Sequence, residues 1–395
     1  MKNFIELTQK GKRKVIGLMT GTSLDGVDTA LVEITGNGPD TRIELIGFLE
    51  YPFPAGFRDF VIDQSRRATS NVEDLCRLNF LLPDIYADAV RTLCAETGHD
   101  LASIDLIGSH GQTVQHLPEK HKFFGYSISS TLQIGDPAVL AKKLGIVTVG
   151  DFRTGDVALG GQGAPLVPYF DYIIFRDNSV SRALLNIGGI SNFTVLDKNG
   201  TQEDVYAFDT GPGGMLIDIC AKRFYGKNYD SDGAFGASGN FCLSLFEDLK
   251  AQDTFIDRKP PKSTGRELYG EEFLTGLFEK YGYIAQADWM HTIIKFTAYG
   301  IHENYRKFVF DETRIDELIV SGGGARNKFL LRCLSGYFGE GVRIRVIDEL
   351  GISSDAKEAI CFAVLANETI SGNASNIPRT TGAAKTTILG KICLP

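Results

Sequence analysis

Tryptophan occurs once, at Trp289, and cysteine only seven times in 395 residues. Cys76, Cys94, Cys220, Cys242, Cys333, Cys361 and Cys393 are odd in number, scattered, and nowhere spaced as CxxC. This leaves no basis for a disulfide framework or a zinc site and implies reduced thiols in a reducing compartment. No stretch approaches the ~20 apolar residues of a membrane span. Met1–Lys14 is basic but lacks an apolar segment, so no secretory signal is expected and the expected location is cytoplasmic. Positive charge is short as well: 41 Lys and Arg stand against 49 Asp and Glu, a net charge of −8. Nucleic acid and membrane are therefore not expected partners, since both want a basic face. Neither GxxxxGK[ST] nor GxGxxG occurs, which removes a Walker A loop and disfavours a Rossmann dinucleotide site.

Glycine is what the chain has in excess: 44 residues, against the ~7% of average usage. Four glycine-rich turns lie at strand ends: Gly21–Asp28, Gly188–Asn192, Asp209–Gly214 and Ser321–Asn327. The first sits between the apolar runs 15–19 and 30–34, a hairpin pattern. Glycine lets a backbone approach a ligand closely, and such turns offer amides to phosphate oxygens.

The chain divides by pattern into two similar halves. Each opens with three strands joined by a glycine-rich first turn and then adds helices and further strands. The first half has strands at 15–19, 30–34, 42–48, 104–108 and 146–149, with helices at 57–67, 72–97 and 138–144. The second has strands at 182–187, 193–196, 205–209, 317–320 and 342–347, with helices at 215–224, 270–281, 289–308, 328–337 and 356–370. Residues 118–130 read as loop or hairpin, 230–265 as loop with one short helix, and 377–383 as irregular. The period is about 170–180 residues. Such a repeat predicts a duplicated actin-like (RNase H-like) α/β ATPase fold, two domains flanking a nucleotide cleft. The expected domains are 1–151, completed by 371–395, and 152–370, the latter carrying Asp171 and the adenosine-side turn.

Candidate site residues follow from this frame. Asp25 and Asp209 could face a Mg²⁺ ion through water, since Mg²⁺ keeps several of its waters. Asp171 is a lone acid in an apolar and aromatic run, suited to a general base, although the residues alone favour pairing with a cation such as Arg176. His110 and Gln112 follow a buried strand end, where ligands gather in α/β sheets. Asp151 and Arg153 could hold a substrate's hydroxyls and carboxylate, or each other. Glu358 begins a helix, where an acid also suits the dipole.

The motifs GTSLDGVD (21–28), GSHGQT (108–113), LQIGDP (132–137) and DFRTGDVALGGQGAPLVPYFD (151–171) resemble those of the anhydro-N-acetylmuramic acid kinases. LNIGGISN (185–192), FDTGPGG (208–214), YDSDGAFGASG (229–239), VSGGGARN (320–327) and DAKEA (355–359) continue the resemblance in family order along nearly the whole chain. It implies an ATP- and Mg²⁺-dependent enzyme that opens the 1,6-anhydro ring of 1,6-anhydro-N-acetylmuramic acid with water and phosphorylates O6. It further implies Asp171 as general base, Gly21, Thr22, Ser23, Leu24, Asp25, Gly26, Val27 and Asp28 as ATP-binding segment, and a homodimer. Asn186, Gly188, Gly189, Gly211, Gly213, Gly322, Gly323, Gly324 and Asn327 are the expected ATP contacts of the second half. His110, Gln112, Asp151, Arg153 and Glu358 are the expected substrate side. The wider superfamily commonly has Asp where Asn186 stands, so Asp209 is the candidate to substitute. Competing readings are a kinase for another anhydro sugar such as levoglucosan, and a non-metabolic ATPase module of the actin or Hsp70 type.

Overall fold

The computed structural model describes residues 4–21 and 24–395. Its contacts divide the chain into two compact units, Met1–Ile174 with Asp355–Pro395, and Phe175–Ser354.

The first unit is built on β1 (Lys12–Met19), β2 (Gly26–Thr35), β3 (Arg42–Pro52), β4 (Leu106–Ser109), β5 (Gln112–Phe123), β6 (Tyr126–Ile134) and β7 (Thr148–Gly150). Five of these form a sheet in the order β3-β2-β1-β4-β7. β1–β2 and β2–β3 are antiparallel, and β1–β4 and β4–β7 are parallel. β5 and β6 form a separate hairpin. The second unit repeats the order with β8 (Arg182–Ile187), β9 (Ile190–Leu196), β10 (Tyr206–Pro212), β11 (Glu317–Ser321) and β12 (Arg343–Val346), arranged β10-β9-β8-β11-β12. Its first three strands are again antiparallel and its last two parallel. The duplicated α/β architecture expected from the sequence is thus present strand for strand. β13 (Lys391–Cys393) adds to β7 at the edge of the first sheet.

Helix Lys357–Ser371 explains where the chain returns to the first unit. Apart from Glu358 and Ser371, every residue of it is buried, and its buried polar members Lys357, Asn367 and Glu368 are paired, as buried polar groups must be. It lies directly on β1 and β4. A Cβ at Gly17 would collide with the backbone oxygen of Ala359, and one at Gly108 with that of Phe362. Only glycine admits this approach. The return therefore begins at Asp355 rather than 371, and most of helix Val167–Phe175, Asp171 included, lies in the first unit rather than the second.

Local signals elsewhere act as expected. Asp136 accepts the N–H groups of Ala138 and Val139 (2.8 and 3.2 Å), with Pro137 opening the helix, an N-cap followed by Pro at N1. Stretch 230–265 holds more helix than expected: Ala234–Ser238 and Leu243–Gln252, the latter burying Leu245, Phe246 and Leu249 in the second core. In the tail, Pro378–Thr381 forms one helical turn.

Candidate active site

Asp171 is buried in the first unit, and its partner is Lys357, not Arg176. The Lys357 ammonium lies 2.7 Å from Asp171 Oδ1, with side-chain exposures of 6% and 2%. The approach is off the line of a hydrogen bond, so the contact is a close ion pair. Two residues earlier on the same helix, the Tyr169 hydroxyl donates to Glu368 (3.1 Å), tying this helix to Lys357–Ser371. The tie orients Asp171 and Lys357 toward each other.

His110 and Arg153 form a second pair. His110 Nδ1 lies 2.8 Å from Gly111 O, and Arg153 Nε and Nη2 lie 3.1 and 2.8 Å from His110 Nε2. An arginine only donates, so Nε2 accepts and the proton sits on Nδ1. Burial, and then the Arg153 charge, push the His110 pKa down to about 3. Arg153 Nη1 donates to Gly163 O at 2.8 Å, which leaves two of its five N–H groups for a ligand. Burial lowers its pKa to about 10 against the opposing pull of Glu358. Glu358 is reachable by water yet ringed by protein. That loss of solvent raises its carboxyl pKa, against Lys357 and Arg153. Buried Gln112 donates to Thr113 O (3.2 Å), while its Oε1 has no partner among the described residues. Asp151 is not paired with Arg153; its carboxylate pairs with Lys391 of β13.

The first glycine-rich turn shows a division of labour. Thr22 and Ser23 lie outside the described residues. Leu24 and Val27 are core side chains, 5% and 0% exposed, so any ligand contact of theirs runs through the backbone. Gly21 begins the turn, with Leu24 N–H on its carbonyl (3.3 Å), and Gly26 already belongs to β2. Asp28 is lifted to about 7 by burial first and then by Glu50, Glu358, Asp355 and Asp25. Among the described residues no three His, Cys, Asp or Glu side chains form a ready cation cage. Mg²⁺, however, is usually held by one or two carboxylates plus substrate phosphates. The crowded acids around Asp28, with exposed Asp25 at their edge, fit a cation in that manner.

In the second unit a cavity of about 550 Å³ is lined by Gly188, Gly189, Gly214, Asp218, Gly323, Gly324 and Asn327, together with the Tyr229–Asp232 segment. Three of the expected turns therefore converge. Gly213 and Gly214 serve the convergence. The N–H groups of Gly213, Gly214 and Met215 donate to Gly189 O, Gly188 O and Gly189 O at 2.9, 2.8 and 3.1 Å, so these amides zip two turns together and are not open to phosphate. Asn186, Gly211, Gly213 and Gly322 do not line the cavity. Asn186 Oδ1 accepts the Ser321 hydroxyl (3.4 Å), and a Cβ at Gly322 (φ +79°) would meet that same oxygen at 2.6 Å. Asn327 Oδ1 caps its helix on Leu330 N–H (2.9 Å). Asp209 does not line the cavity either: its carboxylate accepts Thr264 N–H (2.9 Å), and burial raises it to about 6. Asp218 faces the cavity instead, raised to about 6 by burial.

Sequence reading missed three residues: Lys357, Tyr169 and Asp218. The first two stand beside singled-out acids in the motifs DAKEA and VPYFD, and Asp218 in the first helical turn after FDTGPGG.

The family model for anhydro-N-acetylmuramic acid kinase matches residues 13–395. The anhydro-N-acetylmuramic acid kinase of Caldanaerobacter subterraneus subsp. tengcongensis is 45% identical over 398 residues, covering both chains completely. That of Salinibacter ruber is 43% identical over 397 residues, again covering both completely. Among solved structures, the Acidaminococcus fermentans (R)-2-hydroxyglutaryl-CoA dehydratase component A is 10% identical, with a TM-score of 0.45 over 91% of this chain and 99% of that one. That likeness is slight; the repeated strand order carries the fold. Matched over 383 of its 395 residues, from 13 to the end, this chain belongs to the anhydro-N-acetylmuramic acid kinase family.

Proposed function

We propose that the protein couples hydrolytic opening of 1,6-anhydro-N-acetylmuramic acid to phosphorylation of O6 by ATP, giving N-acetylmuramic acid 6-phosphate and ADP. The observation that carries this reading is full-length family membership together with a buried carboxylate, Asp171, in the unit that also holds Arg153, His110 and Glu358. Water attacks C1 and gives its proton to the Asp171 carboxylate, whose Oδ1 lies 2.7 Å from the Lys357 ammonium. The C1–O6 bond breaks with its electrons on O6, O6 takes the γ-phosphoryl group, and the β–γ bridging oxygen leaves with ADP. Capture by phosphoryl makes a poor leaving group a good one. The two spare N–H groups of Arg153 suit the lactyl carboxylate, since a guanidinium fork matches a carboxylate. The cavity of the second unit suits the nucleotide, with Gly188, Gly189, Gly323 and Gly324 allowing close approach. Mg²⁺ near Asp25, when bound, offsets phosphate charge during transfer.

The test is mass spectrometry of products formed from ATP, Mg²⁺ and the anhydro sugar in ¹⁸O-labelled water. One label at C1 with phosphate on O6 is expected. Phosphate without the label would mean an ordinary kinase, and turnover of levoglucosan alone would move the specificity to the neighbouring sugar. With Arg153→Ala, activity loss confined to the lactyl-bearing substrate supports the muramic assignment.

A further inference from the structure

Lys357 is the first residue of its helix and is buried. Both facts are unfavourable in isolation. A cation at a helix N-terminus opposes the helix dipole, and a buried ammonium is costly unless paired. Its partner at 2.7 Å is Asp171, itself 2% exposed. A buried pair of this kind is weak evidence for stability, because desolvation consumes much of the attraction. A role in the chemistry explains it better.

The surroundings say which role. One turn along the same helix is Cys361, fully buried, its thiol pushed well up by burial and by the charges of Asp171 and Glu358. Arg153 bears on Glu358 and Cys361. Glu358, Asp355, Asp25 and Glu50 crowd Asp28 on β2. Asp171 thus shares the surroundings of Cys361 with a second acid, Glu358, and a buried carboxylate lacking a close countercharge tends to take up a proton. A protonated carboxyl cannot act as a base.

Resting on the reading of Asp171 as general base, we propose that Lys357 is its positioning residue. Its ammonium, 2.7 Å from Oδ1, holds the carboxylate in place to receive the water proton, and it supplies the positive charge that keeps the carboxylate ionised. Lys357 touches neither sugar nor nucleotide in this scheme; it acts through Asp171.

The test compares wild type with Lys357→Met and Lys357→Arg, measuring kcat/KM for the anhydro sugar across pH 5 to 9 and ADP binding by calorimetry. Lys357→Met is expected to lose at least about tenfold at the acidic end and to recover as pH rises, its acidic limb displaced upward by one pH unit or more. ADP binding should be unchanged, and Lys357→Arg should return the limb toward wild type. Loss by one constant factor at every pH, or an unmoved limb, would overturn the proposal. If Lys357→Met does not fold, Lys357→Arg and wild type decide. A wild-type acidic limb above about pH 6, or an arginine variant whose limb shifts as far as a neutral residue's should, overturns it equally. Asp171→Asn separates the two levels: full activity in that variant refutes Asp171 as base, whereas an inactive Asp171→Asn beside an unmoved Lys357→Met limb refutes only the role of Lys357.

Discussion

Glu368 offers the sharpest test of how the first unit holds the site in shape. The carboxylate is fully buried. It accepts Gly38 N–H at both oxygens (3.0 and 2.9 Å), the Thr41 hydroxyl at Oε1 (3.3 Å), and the Tyr169 hydroxyl and Asn373 amide at Oε2 (3.1 and 2.7 Å). Burial, then Glu368 itself, raises the Tyr169 pKa, so the phenol stays a donor. Glu368→Gln keeps the shape but replaces one acceptor by an NH₂ group. The amide should turn its NH₂ toward the Oε1 position, where the Thr41 hydroxyl can reverse and accept. One arm of the Gly38 contact is lost, and the other bonds lose their charge assistance. With hydrogen bonds to charged groups worth about 1.5–3 kcal/mol and neutral ones about 1 kcal/mol, the expected loss is about 2–3 kcal/mol. Tyr169→Phe removes one donor and leaves the carboxylate well satisfied, for about 1–1.5 kcal/mol. Glu368→Ala strands every donor and opens a cavity, for about 4–5 kcal/mol. Urea unfolding followed by circular dichroism reads these as midpoint shifts at constant slope. The expected order of loss is Tyr169→Phe, then Glu368→Gln, then Glu368→Ala. A glutamine variant as stable as wild type would refute the reasoning.

Asp171→Asn should abolish turnover while leaving ATP binding largely intact, as measured by product formation beside calorimetry. His110 should show no titration between pH 5 and 8 in ring ¹⁵N spectra, with the proton on Nδ1; because its pKa is depressed to about 3, the unfolded state binds the extra proton first, and the His110 contribution to stability falls as pH drops from about 6.5 toward 3. A ring that protonates near pH 6.5 would contradict its burial beside Arg153. Asp218→Asn should change the nucleotide dissociation constant by about threefold to tenfold without altering the KM for sugar, since burying or freeing one hydrogen bond is worth about 0.5–1.5 kcal/mol; an unchanged affinity would mean that the cavity of the second unit does not hold the nucleotide.

Much of the fold was legible because both halves advertise it locally. Apolar alternation marked the strands, and Asp136-Pro137 marked a helix start. The duplicated architecture followed from one pattern repeated twice. The domain boundary was not legible. Nothing local in residues 357–371 says which sheet their helix covers; that is settled by Gly17 and Gly108, more than 240 residues away, whose missing side chains make room for it. The site shows the same split. His110, Arg153 and Glu358 were identifiable as polar residues at element ends, and they do cluster. Lys357 carries no local signal because a lysine at a helix start reads as surface, and a strand-end acid such as Asp209 is conspicuous in sequence where Asp218, inside a helical turn, is not. Which acid turns inward depends on a loop, 262–264, that local pattern does not connect to Asp209.

The late return of helix Lys357–Ser371 has a consequence for biosynthesis. The first unit starts the chain but lacks the helix that covers β1 and β4 until residue 371 has been made, while the second unit is contiguous from Phe175 to Ser354. On the ribosome the order of completion should therefore invert the order of synthesis. The unit begun second can close first, and the unit begun first waits with one face of its sheet bare. The same delay applies to chemistry, because Asp171 emerges early and Lys357 late. A truncated product ending before Asp355 would carry the proposed base without the charge that steadies it, so an unfinished chain is also an unarmed one.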